Sequence, residues 1–414
     1  MNLLLVTQGF PYGESEQGFL PVEYGALSEN FSLTVMAFDL HQPLKHTVRE
    51  NVRHCLYSWP EKVRPWELVK QLRYPEVRKD LALALRKEKR LFPKRALRIF
   101  LYSLRAEQTL PKLRAIVEEN QIEMVYTYWC VQATIAALRL GEEKPSLRVI
   151  TRFHGMDLYP EQTAENWEPL RPYVAQGCQR LLFVSDLGKK FFLEQYGWRW
   201  AAKSMTCYVG CRPLAGRNAA DKADKTLVLI SCAALIPMKR VSLIVKGLAA
   251  LPETVSVQWH HFGDGPERKA LEGQATARLA NQPQINYTFH GFVANEAMHE
   301  TMLSLGAQLF ITTSETEGLP VSVMEAFAMG IPAVATAVGG IPEMLREGEN
   351  GFLLSPNPSP QEVAQSLLRF MNLSQEARER MGQQALEVWR QKFNAEENTA
   401  KLIDELRSMR PEGG

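Results

Sequence analysis

The sequence predicts an α/β protein made of two Rossmann-like domains, each with its own parallel sheet. Three observations predict it. Short apolar runs of strand length alternate with helical stretches along the whole chain, one polar stretch divides them into two series, and no cysteine or histidine pattern imposes a competing framework. The 414 residues are enough for two or three domains with large cores. An apolar fraction of 45% with 23% charged residues excludes collagen-like, coiled-coil and wholly disordered chains.

The expected strands of the first series are 3–6, 33–38, 124–128, 148–152 and 181–184. Those of the second are 227–232, 255–262, 287–289, 309–312 and 333–336. Each is a run of leucine and β-branched residues, the composition of strands buried on both faces. Parallel strands joined by helical crossovers give Rossmann-like layers. The break falls in RPLAGRNAADKADK, which is polar and has no hydrophobic period. The expected division is therefore a first domain over 1–211, a linker over 212–225 and a second domain over 226–390. A C-terminal helix over 391–414 is expected to pack back on the first domain, with its Pro-Glu-Gly-Gly tail frayed.

Net charge is +2, from 48 Lys+Arg against 46 Asp+Glu, so no global charge argument points to nucleic acid. The six cysteines are scattered without zinc spacing, and no metal is expected. The start, MNLLLVTQGF, lacks the basic region and cleavage site of a signal peptide, and no apolar run approaches the ~18 residues of a membrane span. A cytoplasmic protein with reduced thiols is expected. Segment 62–114 is locally distinct, with sixteen bases against five acids, so that the other residues sum to −9. Its interleaved apolar residues fit an amphipathic helix. Such a face either docks on an anionic membrane surface, placing the protein on the inner face of the cell membrane, or packs its apolar stripe on its own domain.

The most informative stretch is SETEGLPVSVMEAFAMGIPAVATAVGGIPEML. The strand 309–312 leads into a loop with Glu317 and Gly318. Pro320 is expected as a first helical residue, the helix over 321–329 as ending at Gly330, and Pro342, after the Gly339–Gly340 pair, as opening the next helix. This aims a helix N-terminus at the carboxyl edge of the sheet, a ready anion site. Glu317 and Glu325 do not suit a phosphate as ligands, but they suit sugar hydroxyls flanking a diphosphate.

The spacing E-x7-E, followed by GGIPEML and NGFLL, resembles glycosyltransferase family 4. The resemblance continues in LIPMKRVSLIVKGL, FGDGPER, FHGFV and RFHGMDLY, and more loosely in FPYGESEQGF. It implies the GT-B fold, two Rossmann-like domains facing a cleft, and a retaining, metal-independent transfer. The nucleotide-sugar donor, commonly a UDP-sugar, is substrate, and no cofactor is implied. The acceptor implied is a saccharide or lipid-linked saccharide in cell-surface glycan synthesis. By resemblance, Glu325 accepts from the ribose hydroxyls and Glu317 from donor-sugar hydroxyls. The amides of Gly318 and Leu319 meet the sugar, Lys239 lies on the diphosphate, and His154 faces donor and acceptor. Gly265 belongs to the G-x-G-P turn, and Gly291 and Phe292 to the loop near the base. Two positions depart from the family. Ala234 stands where many members carry an arginine, so either Arg240 supplies the second phosphate charge or Lys239 and the helix dipole act alone. The first loop offers Gly9 and Gly13 in place of adjacent glycines. A nucleotide-sugar-binding module without turnover is the alternative. A third reading, a dinucleotide-dependent oxidoreductase, requires G-x-G-x-x-G between the first strand and helix, which TQGFPYGESE does not supply.

Overall fold

The computed structural model describes residues 1–414 except 13–15, 17–18, 39–42, 45–47, 61, 215–225 and 410–414. The expected linker lies outside the described residues from 215 onward, as do Gly13 and the tail. The chain forms two compact units, Met1–Tyr208 with Glu396–Gly414, and Val209–Ala395.

The first unit runs β1 (Asn2–Thr7), α1 (Leu20–Asn30), β2 (Ser32–Phe38), β3 (Arg53–Tyr57), α2 (Pro65–Lys70), α3 (Pro75–Lys87), α4 (Phe92–Glu119), β4 (Met124–Thr127), α5 (Gln132–Glu143), β5 (Arg148–Phe153), α6 (Arg171–Gly177), β6 (Arg180–Phe183), α7 (Asp186–Tyr196) and β7 (Ser204–Thr206). Its seven strands pair in parallel in the order β3-β2-β1-β4-β5-β6-β7. Side chains alternate across a strand, so one apolar run feeds two core layers. Leu4 and Val6 join the layer of Ile99, Leu113 and Ile135. Leu3 and Leu5 join the layer of Leu20, Leu27 and Phe31. That second layer also contains Leu402, Ile403 and Leu406, from the C-terminal helix.

The second unit runs β8 (Leu227–Cys232), α8 (Val241–Ala249), β9 (Val257–Phe262), α9 (Arg268–Leu279), β10 (Ile285–Gly291), α10 (Asn295–Ser304), β11 (Leu309–Thr312), α11 (Val321–Ala328), β12 (Ala333–Thr336), α12 (Ile341–Met344), β13 (Gly351–Leu354), α13 (Pro360–Met371) and α14 (Gln375–Val388). The C-terminal helix is α15 (Ala395–Ser408). Six parallel strands lie in the order β10-β9-β8-β11-β12-β13. In both sheets the order reverses beside the first strand of the unit, between β1 and β4 and between β8 and β11. Ligands of open parallel sheets bind outside the carboxyl ends of the strands at such a point.

Every expected strand is present, with ends shifted by up to two residues. Three further strands, β3, β7 and β13, were not expected; all lie at sheet edges. Pro320 is corrected by one position. Its ψ of 115° makes it the N-cap, and α11 begins at Val321. Gly330 follows the helix with φ 72°, the left-handed conformation expected of it.

The basic segment resolves into α2, α3 and most of α4. Arg95 is buried and donates to the carbonyls of Glu165 and Asn166. Arg73 pairs with Glu107, Arg98 with Glu168, and Arg114 with Glu143. Val77, Ala84 and Ile99 turn inward to the core, while Trp66, Val69, Leu83, Leu85 and Leu97 stay exposed. No helix among the described residues is long and apolar enough to cross a membrane.

His261 of β9 is packed in the second core, its Nδ1 2.8 Å from Ser231 Oγ, and burial lowers its pKa to about 4. The unfolded imidazole titrates near 6.5. Between these values the unfolded chain binds a proton that the folded chain does not, so the stability from His261 is complete above pH 6.5 and falls as pH drops toward 4. A urea midpoint followed from pH 7 to pH 4 should decline over that window, and His261→Gln should flatten the decline.

Candidate functional site

The switch-point loops of the second unit are stitched together. After β8, Ala233 N donates to Phe262 O at 3.0 Å and Leu235 N to Asp264 O at 2.9 Å. The GDGP loop therefore runs against this segment backbone to backbone. A Cβ on Gly263 would lie 2.0 Å from Ala233 O, and one on Gly265 would lie 2.5 Å from Leu235 O. The glycines of that motif are required by this approach.

A short 3-10 turn, Pro237–Lys239, then delivers Lys239. Arg240 follows with φ 47° and caps α8. Its guanidinium reaches across to the loop after β11. Nε donates to Thr313 O at 2.7 Å, Nη2 to Ser314 O at 2.8 Å and Pro356 O at 2.9 Å, and Nη1 to Asn357 Oδ1 at 3.1 Å. An arginine has five N–H donors, so this leaves one uncommitted. Arg240 thus clamps the loops after β8, β11 and β13 together.

Lys239 Nζ lies 2.6 Å from Glu317 Oε1, the side chains 21% and 11% exposed. The loop after Glu317 is held in turn by the Gly339–Gly340 pair. Gly340 N donates to Gly318 O at 2.8 Å, and a Cβ on Gly339 would fall 1.6 Å from Glu317 O. The amides of Gly318 and Leu319 donate to no acceptor among the described residues. They precede the N-terminus of α11, whose unpaired N–H groups carry partial positive charge. Glu325, in the middle of that helix, is buried with Oε1 3.2 Å from His299 Nε2 of α10. The alignment falls short of a hydrogen bond. His299 was not identified in the sequence, since it stands alone in NEAMHE with no spacing that marks it. The field of these groups is felt nearby. Burial first, and the Glu325 carboxylate second, push the Cys232 thiol up to about 12, while Lys239 acts in the opposite direction. Gly291, φ 74°, ends β10, and Phe292 beside it leaves 68% of its surface exposed.

In the first unit His154 follows β5. Its backbone N–H donates to Asp157 Oδ1 at 2.7 Å, and Cys130 N donates to Oδ2 of the same carboxylate at 2.8 Å, which ties the loops after β4 and β5 together. The imidazole stacks on Trp129 with centroids 3.9 Å apart and planes at 27°. Both ring nitrogens are buried without a hydrogen-bond partner among the described residues. Trp129 Nε1 donates to Glu16 Oε1 at 2.6 Å, and the other Glu16 oxygen accepts from Gly9 N and Phe10 N at 3.2 and 3.0 Å. Trp129, Asp157 and Glu16 escape sequence reading; the only trace is the aspartate three residues after the histidine. The structure thus brings Lys239, Glu317, Gly318, Leu319, Arg240 and Glu325 to one switch point of the second unit, and gives His154 its own cluster in the first.

Residues 215–388 match the family model for glycosyl transferases group 1. The putative colanic acid biosynthesis glycosyltransferase WcaL of Salmonella typhimurium is 27% identical over 285 residues, 63% of this chain and 64% of that relative. The chain thus matches somewhat under two thirds of that relative's length. N-acetyl-alpha-D-glucosaminyl L-malate synthase of Bacillus anthracis is 26% identical over 69% of this chain and 74% of its own. Sucrose-phosphate synthase from Thermosynechococcus elongatus superposes over 99% of both chains with a TM-score of 0.72 at 14% identity. HepE of Anabaena, crystallised with UDP and glucose, superposes over 99% of this chain and 100% of its own with a TM-score of 0.64 at 18% identity. The likeness to these two structures is one of fold, the GT-B fold that the sequence resemblance implied. The family model thus covers most of the second unit, and what the chain shares with these relatives and structures is that domain's sequence pattern and the GT-B fold.

Proposed function

We propose that the chain is a retaining glycosyltransferase that moves a sugar from a nucleotide-diphosphate donor to a hydroxyl of a lipid-linked or polysaccharide acceptor in cell-surface glycan synthesis. The observation that carries this reading is the Lys239–Glu317 pair at the switch point, beside the N-terminus of the helix that holds Glu325. A diphosphate fits the ammonium of Lys239 and the free amides ahead of α11, which steady the charge that grows as the leaving group departs. Glu317, next to Lys239, accepts from hydroxyls of the donor sugar. Glu325 accepts from the ribose hydroxyls, with His299 keeping its carboxylate in place. Phe292 offers an exposed ring on which a base can stack.

Uridine is the base we propose, in keeping with the UDP bound by HepE, and a polysaccharide acceptor is in keeping with the name of the Salmonella relative. His154, its ring held by Trp129 and its nitrogens without a hydrogen-bond partner among the described residues, is proposed to face the reacting sugar. The acceptor hydroxyl attacks on the face from which the nucleotide leaves, forming the new C–O bond as the sugar–phosphate bond breaks. The departing phosphate oxygen takes the proton, and this balances the step. No cofactor or metal enters the proposed scheme. The exposed basic and apolar face of α2 and α3 is proposed to rest on the anionic inner surface of the membrane.

A panel of nucleotide sugars, tested for their shift in melting temperature, addresses the donor directly. A ligand at 100 times its dissociation constant stabilises by about 2.7 kcal/mol, a shift of several degrees. A UDP-sugar should give the largest shift, and Glu325→Ala should weaken its binding by about tenfold or more, as expected for a lost hydrogen bond to a charged acceptor. A panel without any shift, together with absence of transfer, would sink the reading.

A further inference from the structure

Lys94, Leu97, Arg98, Leu101 and Arg105 recur along α4 at helical spacing and so share one side of it. Together with Gln132, the first residue of α5, they line a recess of about 500 Å³ within the first unit. Its lining is two-sided in chemistry. Three cations and one acid, Glu165, line it; Arg98 is paired with Glu165 at 3.3 Å and with Glu168 at 3.0 Å, and Arg105 donates to Pro60 O at 2.7 Å, so the charge offered to a ligand is chiefly that of Lys94. Arg98 Nε is buried with no partner among the described residues, and Lys94 is exposed. Beside these charges Leu97 leaves 51% of its surface in water. A soluble anion would account for the cations and leave the leucines idle. A neutral lipid would do the reverse. A phosphate joined to a hydrocarbon chain uses both.

The recess also has a telling place in the fold. Gln132 is three residues beyond Trp129, on which His154 stacks, and three residues of chain span at most about 11 Å. Tyr102, another lining residue, donates to Cys130 O at 2.9 Å, inside that same connection. A phosphate held here thus lies at the edge of the His154 loop.

We propose that this recess seats the phosphate and the first hydrocarbon units of the lipid that carries the acceptor saccharide, so that the saccharide extends toward His154. The proposal rests on the reading of the acceptor as lipid-linked and adds its binding site. It differs from docking on a membrane surface, because a single lipid phosphate enters a defined recess.

Equilibrium dialysis of the full chain against labelled farnesyl diphosphate, without donor, tests it. Saturable binding to one site is expected. Leu97→Asp and Lys94→Gln, both at exposed positions, should each weaken it at least tenfold. Lys79→Gln, at an exposed lysine of α3 outside the recess, should change it less than twofold. Inorganic diphosphate and farnesol should each compete at least tenfold less well than farnesyl diphosphate. The proposal fails if binding does not saturate, if Lys79→Gln weakens it as much as Lys94→Gln, or if inorganic diphosphate competes equally. Donor and turnover are absent from this assay, so its failure leaves the donor reading standing. Loss of the donor reading with farnesyl diphosphate binding intact would leave the recess standing.

Discussion

Lys239→Ala should lower kcat for sugar transfer by about 10²–10³, equivalent to about 3–4 kcal/mol of barrier, with the donor still able to bind. The size follows from what the ammonium does. In the transfer proposed above, charge grows on the bridging phosphate oxygen only as the sugar–phosphate bond breaks, so a cation fixed there would stabilise the transition state more than the bound donor. Glu317 holds that cation at 2.6 Å before any donor arrives, which removes the need to reorganise it during the reaction. The same pairing means that Lys239→Ala also affects folding, because it leaves a carboxylate only 11% exposed without its counterion. We expect about 1–2 kcal/mol of lost stability, less than for a fully buried pair because both groups keep some contact with water. Glu317→Ala should behave alike. The double variant separates the two effects. Its stability should recover above that of either single variant, since neither charge is then left alone, while transfer should stay at the level of the weaker one. Steady-state kinetics at saturating donor and urea unfolding of all three variants check this. A Lys239→Ala enzyme with wild-type kcat would remove Lys239 from the chemistry.

The fold was largely legible because a parallel sheet covered on both faces demands continuous apolar runs. Leu3, Leu4 and Leu5 are each fully buried, in alternate layers, and the sequence displays that demand without ambiguity. Two of the missed edge strands make no such demand, unlike the buried β13. Arg53–Tyr57 has no fully buried residue and Ser204–Thr206 is only half-buried throughout, so their mixed composition reads as loop. At the site, legibility followed the backbone. Glu317 and Glu325 stand out because proline and glycine punctuate the loop and helix that present them, whereas Lys239 is picked out only by the family resemblance of LIPMKRVSLIVKGL. Arg240 was found too, but its work was not readable, since its partners are carbonyl oxygens of residues 313, 314 and 356, far along the chain. His299, Trp129 and Glu16 act through side chains brought together only by tertiary packing. No local spacing records such meetings.

Gly339→Ala should cost at least about 3 kcal/mol of stability and lower kcat/KM by about 10² or more, although Gly339 need touch no substrate. Two terms add. The residue sits at φ 53°, where an L side chain is disfavoured by about 1–2 kcal/mol. Its new Cβ would also fall 1.6 Å from Glu317 O, a backbone atom that cannot rotate away. The loop of Glu317 must therefore shift, and it carries the carboxylate, the free amides of Gly318 and Leu319 and the start of α11 together. A displacement of about 1 Å at a reacting centre is enough for a loss of about 10². Gly348→Ala isolates the first term. Gly348 has φ 76°, yet its Cβ would meet nothing within 4 Å. That variant should lose only about 1 kcal/mol and keep its activity. If the two alanine variants lost stability equally and both kept full transfer, the close approach of the glycine pair would not be what positions Glu317, and the site would have to be held by the Arg240 clamp alone.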